Sequence, residues 1–144
     1  MKILLPVDGS ENALEAVRQA LRLRHAGLRA SFVLANVQEP ASLYEVVVAH
    51  NAALIEQISA AAAAHSLAPA QALLNADGAE FETEIGHGDP GHLLVDIAER
   101  YECDLVILGA RGQDVGESGA LGSVASAVLQ HARAAVMVVR RGEA

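Results

Sequence analysis

The residues of this sequence best suited to bind a ligand lie in a glycine-rich stretch near its C-terminus. The stretch reads Gly109-Ala110-Arg111-Gly112, then nine residues from Gln113 to Leu121, then Gly122-Ser123. Glycines at 109 and 112 let the backbone pass close to a ligand because no Cβ stands in the way. Gly122-Ser123 lies where the next helix is predicted to begin, so unpaired amides and the positive end of the helix dipole face outward there. Such a site binds a phosphate without needing a lysine.

Each of these features also has a purely structural interpretation. Ser123 could cap the helix that follows it, and the glycines could form a flexible turn. Asp8 follows the first apolar run, where its carboxylate can contact a ligand, but Asp8-x-x-Glu11 also reads as a capping box. The residues alone leave both interpretations open.

The hydrophobic pattern predicts five strands alternating with helices. Apolar runs predict strands at residues 3–7, 31–37, 81–85, 104–108 and 136–139. Helical spacing predicts helices from residue 11, from 51 to 65 with a resumption after Pro69, around 93–98, and over 123–132, with a further helix start at 44–48. Strands joined by single helices need right-handed crossovers, so we expect a parallel sheet in a three-layer α/β/α sandwich.

The two unusual loops are expected to meet at one edge of this sheet. In a Rossmann-like sheet of order 3-2-1-4-5, the strand order reverses between strands 1 and 4, and ligands bind outside the carboxyl ends of the strands there. The first strand ends near Asp8 and the fourth near Gly109. Gly86-His87-Gly88-Asp89-Pro90-Gly91 also fits G-x-G-x-x-G, but it follows the third strand, at the sheet edge, so we expect only a tight turn.

Composition excludes several classes of protein. With 144 residues, 52% of them hydrophobic, the chain is expected to form one folded domain. Its net charge of −8 argues against nucleic-acid and membrane-surface partners. Six histidines lack metal-ligand spacing, so no metal site is expected. The single cysteine, Cys103, and an N-terminus without a signal-peptide pattern lead us to expect a soluble cytoplasmic protein.

The motif G-x2-G-x9-G-[S/T] resembles the ATP-binding motif of the universal stress protein family, and Gly109, Gly112, Gly122 and Ser123 match its fixed positions. The resemblance covers the whole chain, residues 1–144, as one such domain. The chain matches it at Pro6-Val7-Asp8-Gly9-Ser10, at Asn36-Val37, at the Gly88-Asp89-Pro90 turn and at Val136 to Val139.

The resemblance implies a regulatory module that binds ATP, or ADP or AMP, with Mg²⁺ accompanying the nucleotide, and no catalytic residue. Val7 and Val37 would contact the base, and Asp8 the adenine–ribose end. The main-chain amides of the glycine loop would hold ribose and phosphates, at Gly109, Gly112, Gly122, Ser123 and Val124. Pro6 and Arg111 are further expected nucleotide-binding residues. It also implies a homodimer through the last strand, Val136 to Val139.

Two departures from the family pattern bear on this expectation. Ala125 stands where relatives often carry Ser or Thr, which removes one hydroxyl from the phosphate side. Asp114 and Glu117 place two carboxylates in the spacer. Two alternatives therefore remain open: a stress protein that acts through protein contacts alone, and a slow ATP hydrolase or a protein that phosphorylates its own Ser123 or Ser126, with Asp8 as base.

Overall fold

The computed structural model describes residues 1–39, 52–111 and 121–141, and those residues contain five strands and four helices. In chain order they are β1 (Lys2–Pro6), α1 (Glu11–His25), β2 (Ser31–Gln38), α2 (Ala52–Ala76), β3 (Phe81–His87), α3 (Pro90–Arg100), β4 (Leu105–Gly109), α4 (Ser123–His131) and β5 (Ala135–Val139). Strand bounds agree with the sequence prediction to within two residues. The helix start predicted at residues 44–48 lies outside the described residues.

The five strands form one parallel sheet of order β3-β2-β1-β4-β5, which confirms the predicted architecture. β1 pairs with β2 from Lys2↔Ser31 to Pro6↔Ala35, and with β4 through Ile3↔Leu105 and Leu4↔Val106. The order therefore reverses between β1 and β4, and the carboxyl ends of both strands lie at the same edge of the sheet.

Two hydrophobic layers hold the helices against the sheet. On one face, α1 and α2 pack against side chains that include Ile3, Leu5 and Phe32. On the other face, α3 and α4 pack against side chains that include Leu4 and Val106. The central strands are uninterrupted apolar runs because both of their faces are buried.

Helix α2 runs continuously through Pro69, so the predicted break after residue 65 is wrong. Proline removes one backbone hydrogen bond from a helix interior, at a cost of about 3 kcal/mol. Pro69 itself is exposed, whereas Ala63, Leu67, Ala70 and Leu74 are buried with helical spacing on both sides of it. Packing of this buried stripe on the sheet offsets the local penalty.

β3 and β5 are the two edge strands, and they expose side chains to solvent, in contrast to β1. In the described parts of the chain, no helix is long and apolar enough to cross a membrane.

Candidate functional site

The turn that follows β1 is held by its own side chains. The Oδ1 atom of Asp8 accepts a hydrogen bond from the Ser10 amide at 2.9 Å, and Gly9 has a φ of +87° that favours glycine. The N-cap of α1 is Ser10, whose Oγ accepts from the Ala13 amide at 3.2 Å. The capping box that pairs Asp8 with Glu11 is therefore wrong: the Asp8 carboxylate shapes the turn before the cap.

Gly109, at the end of β4, lies directly against the first turn of α1. A Cβ at this position would stand 2.7 Å from the carbonyl oxygen of Asn12 and 2.9 Å from its carbonyl carbon. The need for glycine here thus has a packing cause in addition to any ligand contact. This close approach brings the loop after β4 next to the loop after β1.

The far end of the glycine loop returns to the same place. The amide of Gly122 donates to the carbonyl of Ala110 at 2.8 Å, and the amide of Ala110 donates to the carbonyl of Val139 at 2.9 Å. These bonds fix the start of α4 beside the carboxyl end of β4. Arg111 is half-buried at the start of this loop, and Gly112 lies outside the described residues.

Helix α4 begins without a side-chain cap. Its N-cap is Gly122, with no side-chain cap hydrogen bond, and its ladder begins where the Ser126 amide donates to the Gly122 carbonyl at 3.0 Å. The capping role considered for Ser123 is therefore wrong: Ser123 is the first helical residue and is exposed. The amides of Ser123, Val124 and Ala125 precede the ladder and stand at the positive end of the helix dipole.

The start of α3 is built in the opposite way. Its N-cap, Asp89, accepts hydrogen bonds through Oδ2 from the His92 amide at 3.0 Å and from the His92 ring Nδ1 at 2.6 Å. These hydrogen bonds, the ring one above all, hold the pKa of the Asp89 carboxyl below its usual range. A carboxylate already occupies this helix end, which explains why the G-x-G-x-x-G stretch forms a turn and not an anion site.

The glycines at positions 88 and 91 of that stretch are also required for structural reasons. Gly88 has a φ of +142°. A Cβ on Gly91 would stand 2.6 Å from the Ala127 Cβ, so this glycine lets α3 approach α4 closely.

The carboxyl end of β2 carries two polar side chains, Asn36, which the family resemblance included, and Gln38, which the sequence analysis did not consider. Asn36 is only 1% exposed, and its Nδ2 donates to the carbonyl of Val7 at 2.8 Å. Gln38 donates through Nε2 to the Oδ1 of Asn36. A sequence signal was available, because two amide residues interrupt an otherwise apolar strand at the edge where ligands bind.

The structure therefore brings most of the predicted site residues to one edge of the sheet. Pro6 and Val7 lie at the end of β1, Asp8 in the turn after it, and Val37 near the end of β2. The residues around the β4–α4 connection are Gly109, Arg111, Gly122, Ser123 and Val124. Among the described residues, no three His, Cys, Asp or Glu side chains converge as they would around a metal ion.

Comparison with known proteins supports the same interpretation of the fold. The model of the universal stress protein family matches residues 1–140. Universal stress protein Sll1388 of Synechocystis is 29% identical, and the match covers 96% of this chain and 97% of that protein. The solved structure of hypothetical protein MJ0577 superimposes with a TM-score of 0.83 at 25% identity, covering 99% of this chain and 97% of that one.

Two further solved structures share the fold at lower identity. A universal stress protein in complex with cAMP is 24% identical, with a TM-score of 0.67 and coverage of 97% of this chain and 96% of that one. A family protein from Arabidopsis thaliana with AMP bound is 22% identical, with a TM-score of 0.70 and coverage of 99% and 92%. With a family match that spans residues 1–140, nearly all of its length, this chain belongs to the universal stress protein family.

Proposed function

We propose that this chain binds an adenine nucleotide, ATP foremost, at the carboxyl edge of β1 and β4, and acts as a regulatory module in the stress response. The observation that carries the proposal is the uncapped start of α4. Gly122 is tied to Ala110 beside the strand ends and offers no side-chain cap, so the first amides of the helix face the edge where the strand order reverses. A phosphate is the ligand best suited to such a helix end.

The proposed ligand extends from this helix end across β1. The phosphates would lie at Gly122, Ser123 and Val124, and Gly109, Arg111 and Gly112 would complete the loop around them. Mg²⁺ would accompany a triphosphate and offset its charge. The ribose would lie near Asp8. The base would lie against Pro6, Val7 and Val37, whose backbone and apolar surfaces suit a flat ring.

Two neighbours support the choice of adenine. The solved relatives that share this fold carry cAMP in one case and AMP in the other. Both ligands combine an adenine with one phosphate, so a fold of this kind accommodates the base and one phosphate together.

Wild-type protein titrated with ATP–Mg²⁺ in a calorimeter is expected to give saturable binding with one nucleotide per chain. At a ligand concentration of 100 times Kd, the nucleotide should stabilise the fold by about 2.7 kcal/mol. Parallel titrations with ADP and AMP rank the three nucleotides. Absence of saturable heat up to about 1 mM ATP would instead favour a stress protein that acts through protein contacts alone.

We further propose that the chain is not an enzyme. Asp8 is the candidate base, and its carboxylate already accepts the Ser10 amide, which suits a turn-forming role better than proton abstraction. Phosphate release from ATP measured over hours should not exceed that of buffer. Release above that level, or phosphate found on Ser123 or Ser126 by mass spectrometry, would instead support the hydrolase or self-phosphorylating alternative.

We propose that residues 1–144 work as one cytoplasmic domain that dimerises through β5. This edge strand is apolar and only partly buried. The Val139 carbonyl accepts the Ala110 amide, so the backbone polar groups of Val139 point toward β4. Backbone groups alternate in direction along a strand, so the N–H and C=O of Val138 point away from the sheet. An outward-facing edge of this kind can pair with a second copy.

Val138→Pro should convert this dimer to a monomer, because proline removes an outward N–H without removing a hydrogen bond to β4. Sedimentation velocity measures the change in mass. The matched control is Thr83→Pro in β3, at the opposite edge of the sheet. The Glu80 carbonyl and the Gly88 amide are hydrogen-bonded to β2, so by the same alternation the N–H of Thr83 points away from the sheet. Wild-type protein that sediments as a monomer, or equal effects of the two prolines, would count against a β5 interface.

A further inference from the structure

The two amide side chains at the end of β2 form a chain of hydrogen bonds with only one possible direction. The carbonyl oxygen of Val7 can only accept, so the atom of Asn36 that lies 2.8 Å from it must be Nδ2. The Oδ1 of Asn36 therefore faces Gln38, and the atom of Gln38 that bonds it must be the donor Nε2. Backbone geometry thus fixes the orientation of both amides.

The Oε1 atom of Gln38 takes no part in this series of hydrogen bonds. With Nε2 of Gln38 bonded to Asn36, its Oε1 is left as an acceptor, and no donor from the described residues is bonded to it. Turning over the Gln38 amide would place Oε1 against the Oδ1 of Asn36. Turning over both amides would place Oδ1 against the Val7 carbonyl. Either change brings two acceptors together, so the position of Oε1 presents an acceptor, and the second N–H of Nε2 lies beside it.

The position of this acceptor matches the base end of the proposed ligand. Gln38 is only partly buried and ends β2 at the same sheet edge as Val7. β1 separates β2 from β4, so β2 and β4 lie about 10 Å apart at the usual strand spacing. A nucleotide whose phosphate lies at the start of α4 spans a distance of this order, which brings its base toward β2.

We propose that the Oε1 atom of Gln38 selects adenine over 6-oxopurines by accepting a hydrogen bond from the 6-amino group of the base. This inference rests on the proposed nucleotide site and adds the residue that sets its base specificity. Adenine presents a donor at position 6, whereas hypoxanthine and guanine present an oxygen there. The hydrogen bonds from Gln38 through Asn36 to Val7 keep Oε1 and Nε2 from exchanging places. The oxygen at position 6 of a 6-oxopurine would therefore face Oε1, which is an unfavourable pair of acceptors.

The test compares ATP with ITP, which carry the same triphosphate and ribose. Calorimetric titration of wild-type protein should give a Kd for ITP at least about tenfold higher than for ATP. Gln38→Met keeps the length of the side chain and removes both polar atoms, so the ratio of the two Kd values should fall to within about twofold. The control is Gln71→Met on α2, another partly buried glutamine, which should keep the wild-type ratio.

The possible outcomes separate this inference from the function on which it rests. Equal affinity of wild-type protein for ATP and ITP, or an unchanged ratio in Gln38→Met, overturns the role of Gln38 and leaves the nucleotide site standing. Failure of wild-type protein to bind either nucleotide overturns both. A thermal melt of each variant shows whether the fold is retained, and residual ATP binding by Gln38→Met confirms that the rest of the site is intact.

Discussion

Ser123→Glu is expected to lower the affinity for ATP–Mg²⁺ about thirtyfold without lowering the stability of the fold. Ser123 is exposed and is the first residue of α4, next to the amides proposed to hold the phosphates. A carboxylate there would lie within a few ångströms of the nucleotide, where two like charges repel by about 2–4 kcal/mol at a protein surface. The same carboxylate interacts favourably with the helix dipole, by about 0.3–1 kcal/mol. Binding and stability should therefore change in opposite directions.

The matched control carries the same change of charge to the other end of the helix. Gln130 is exposed in the last turn of α4, so Gln130→Glu adds one negative charge far from the proposed phosphates. Its Kd for ATP should stay within about twofold of wild type because solvent and salt screen distant surface charges. Calorimetry gives both affinities, and thermal melts give both stabilities. Equal weakening by the two substitutions would mean that overall charge, and not the start of α4, governs binding.

Most of the fold could be predicted because the central strands carry an unambiguous signal. Ile3, Leu4 and Leu5 are fully buried from both sides, and such strands leave no polar alternation in the sequence. The error in α2 has a different origin. The penalty for Pro69 is local and visible in the sequence, whereas the packing of Leu67 and Leu74 on the sheet that outweighs it is visible only once the fold is known.

The positions of the candidate site residues were easier to predict than the structural reasons for their residue types. The glycine motif identified Gly109, but its contact with the carbonyl of Asn12 depends on how α1 passes β4. Ser10 and not Asp8 caps α1, because adjacent polar residues offer several possible caps and the backbone of Gly9 decides among them. Gln38 lies one residue beyond the strand predicted at residues 31–37, and the sequence assigned no role to its side chain. Only the pairing of β1 with β2, which brings the Val7 carbonyl to Asn36, gives its side chain a direction.

Gly109→Ala is expected to destabilise the protein by about 2–3 kcal/mol, the upper part of the range for forcing a methyl group into a closely packed site. The added Cβ would stand 2.7 Å from a backbone oxygen and 2.9 Å from a backbone carbon of Asn12, so no side-chain rotation can relieve the contact. Either the first turn of α1 or the end of β4 must shift. For a domain of this size the midpoint of thermal unfolding should fall by roughly 10 °C, measured by circular dichroism or calorimetry.

Gly86→Ala is the matched control, a second glycine within a strand of the same sheet. A Cβ at Gly86 would stand 3.5 Å from the Leu93 Cδ1 and 3.8 Å from the Val37 Cγ2, which are ordinary contacts. Its stability should change by no more than about 0.5 kcal/mol, or rise slightly because alanine restricts the unfolded chain. If Gly109→Ala and Gly86→Ala had the same midpoint of thermal unfolding, the contact between Gly109 and α1 would not be tight. The approach of Gly109 to the backbone of Asn12 would then not be what holds the Asp8 turn beside the start of the glycine loop.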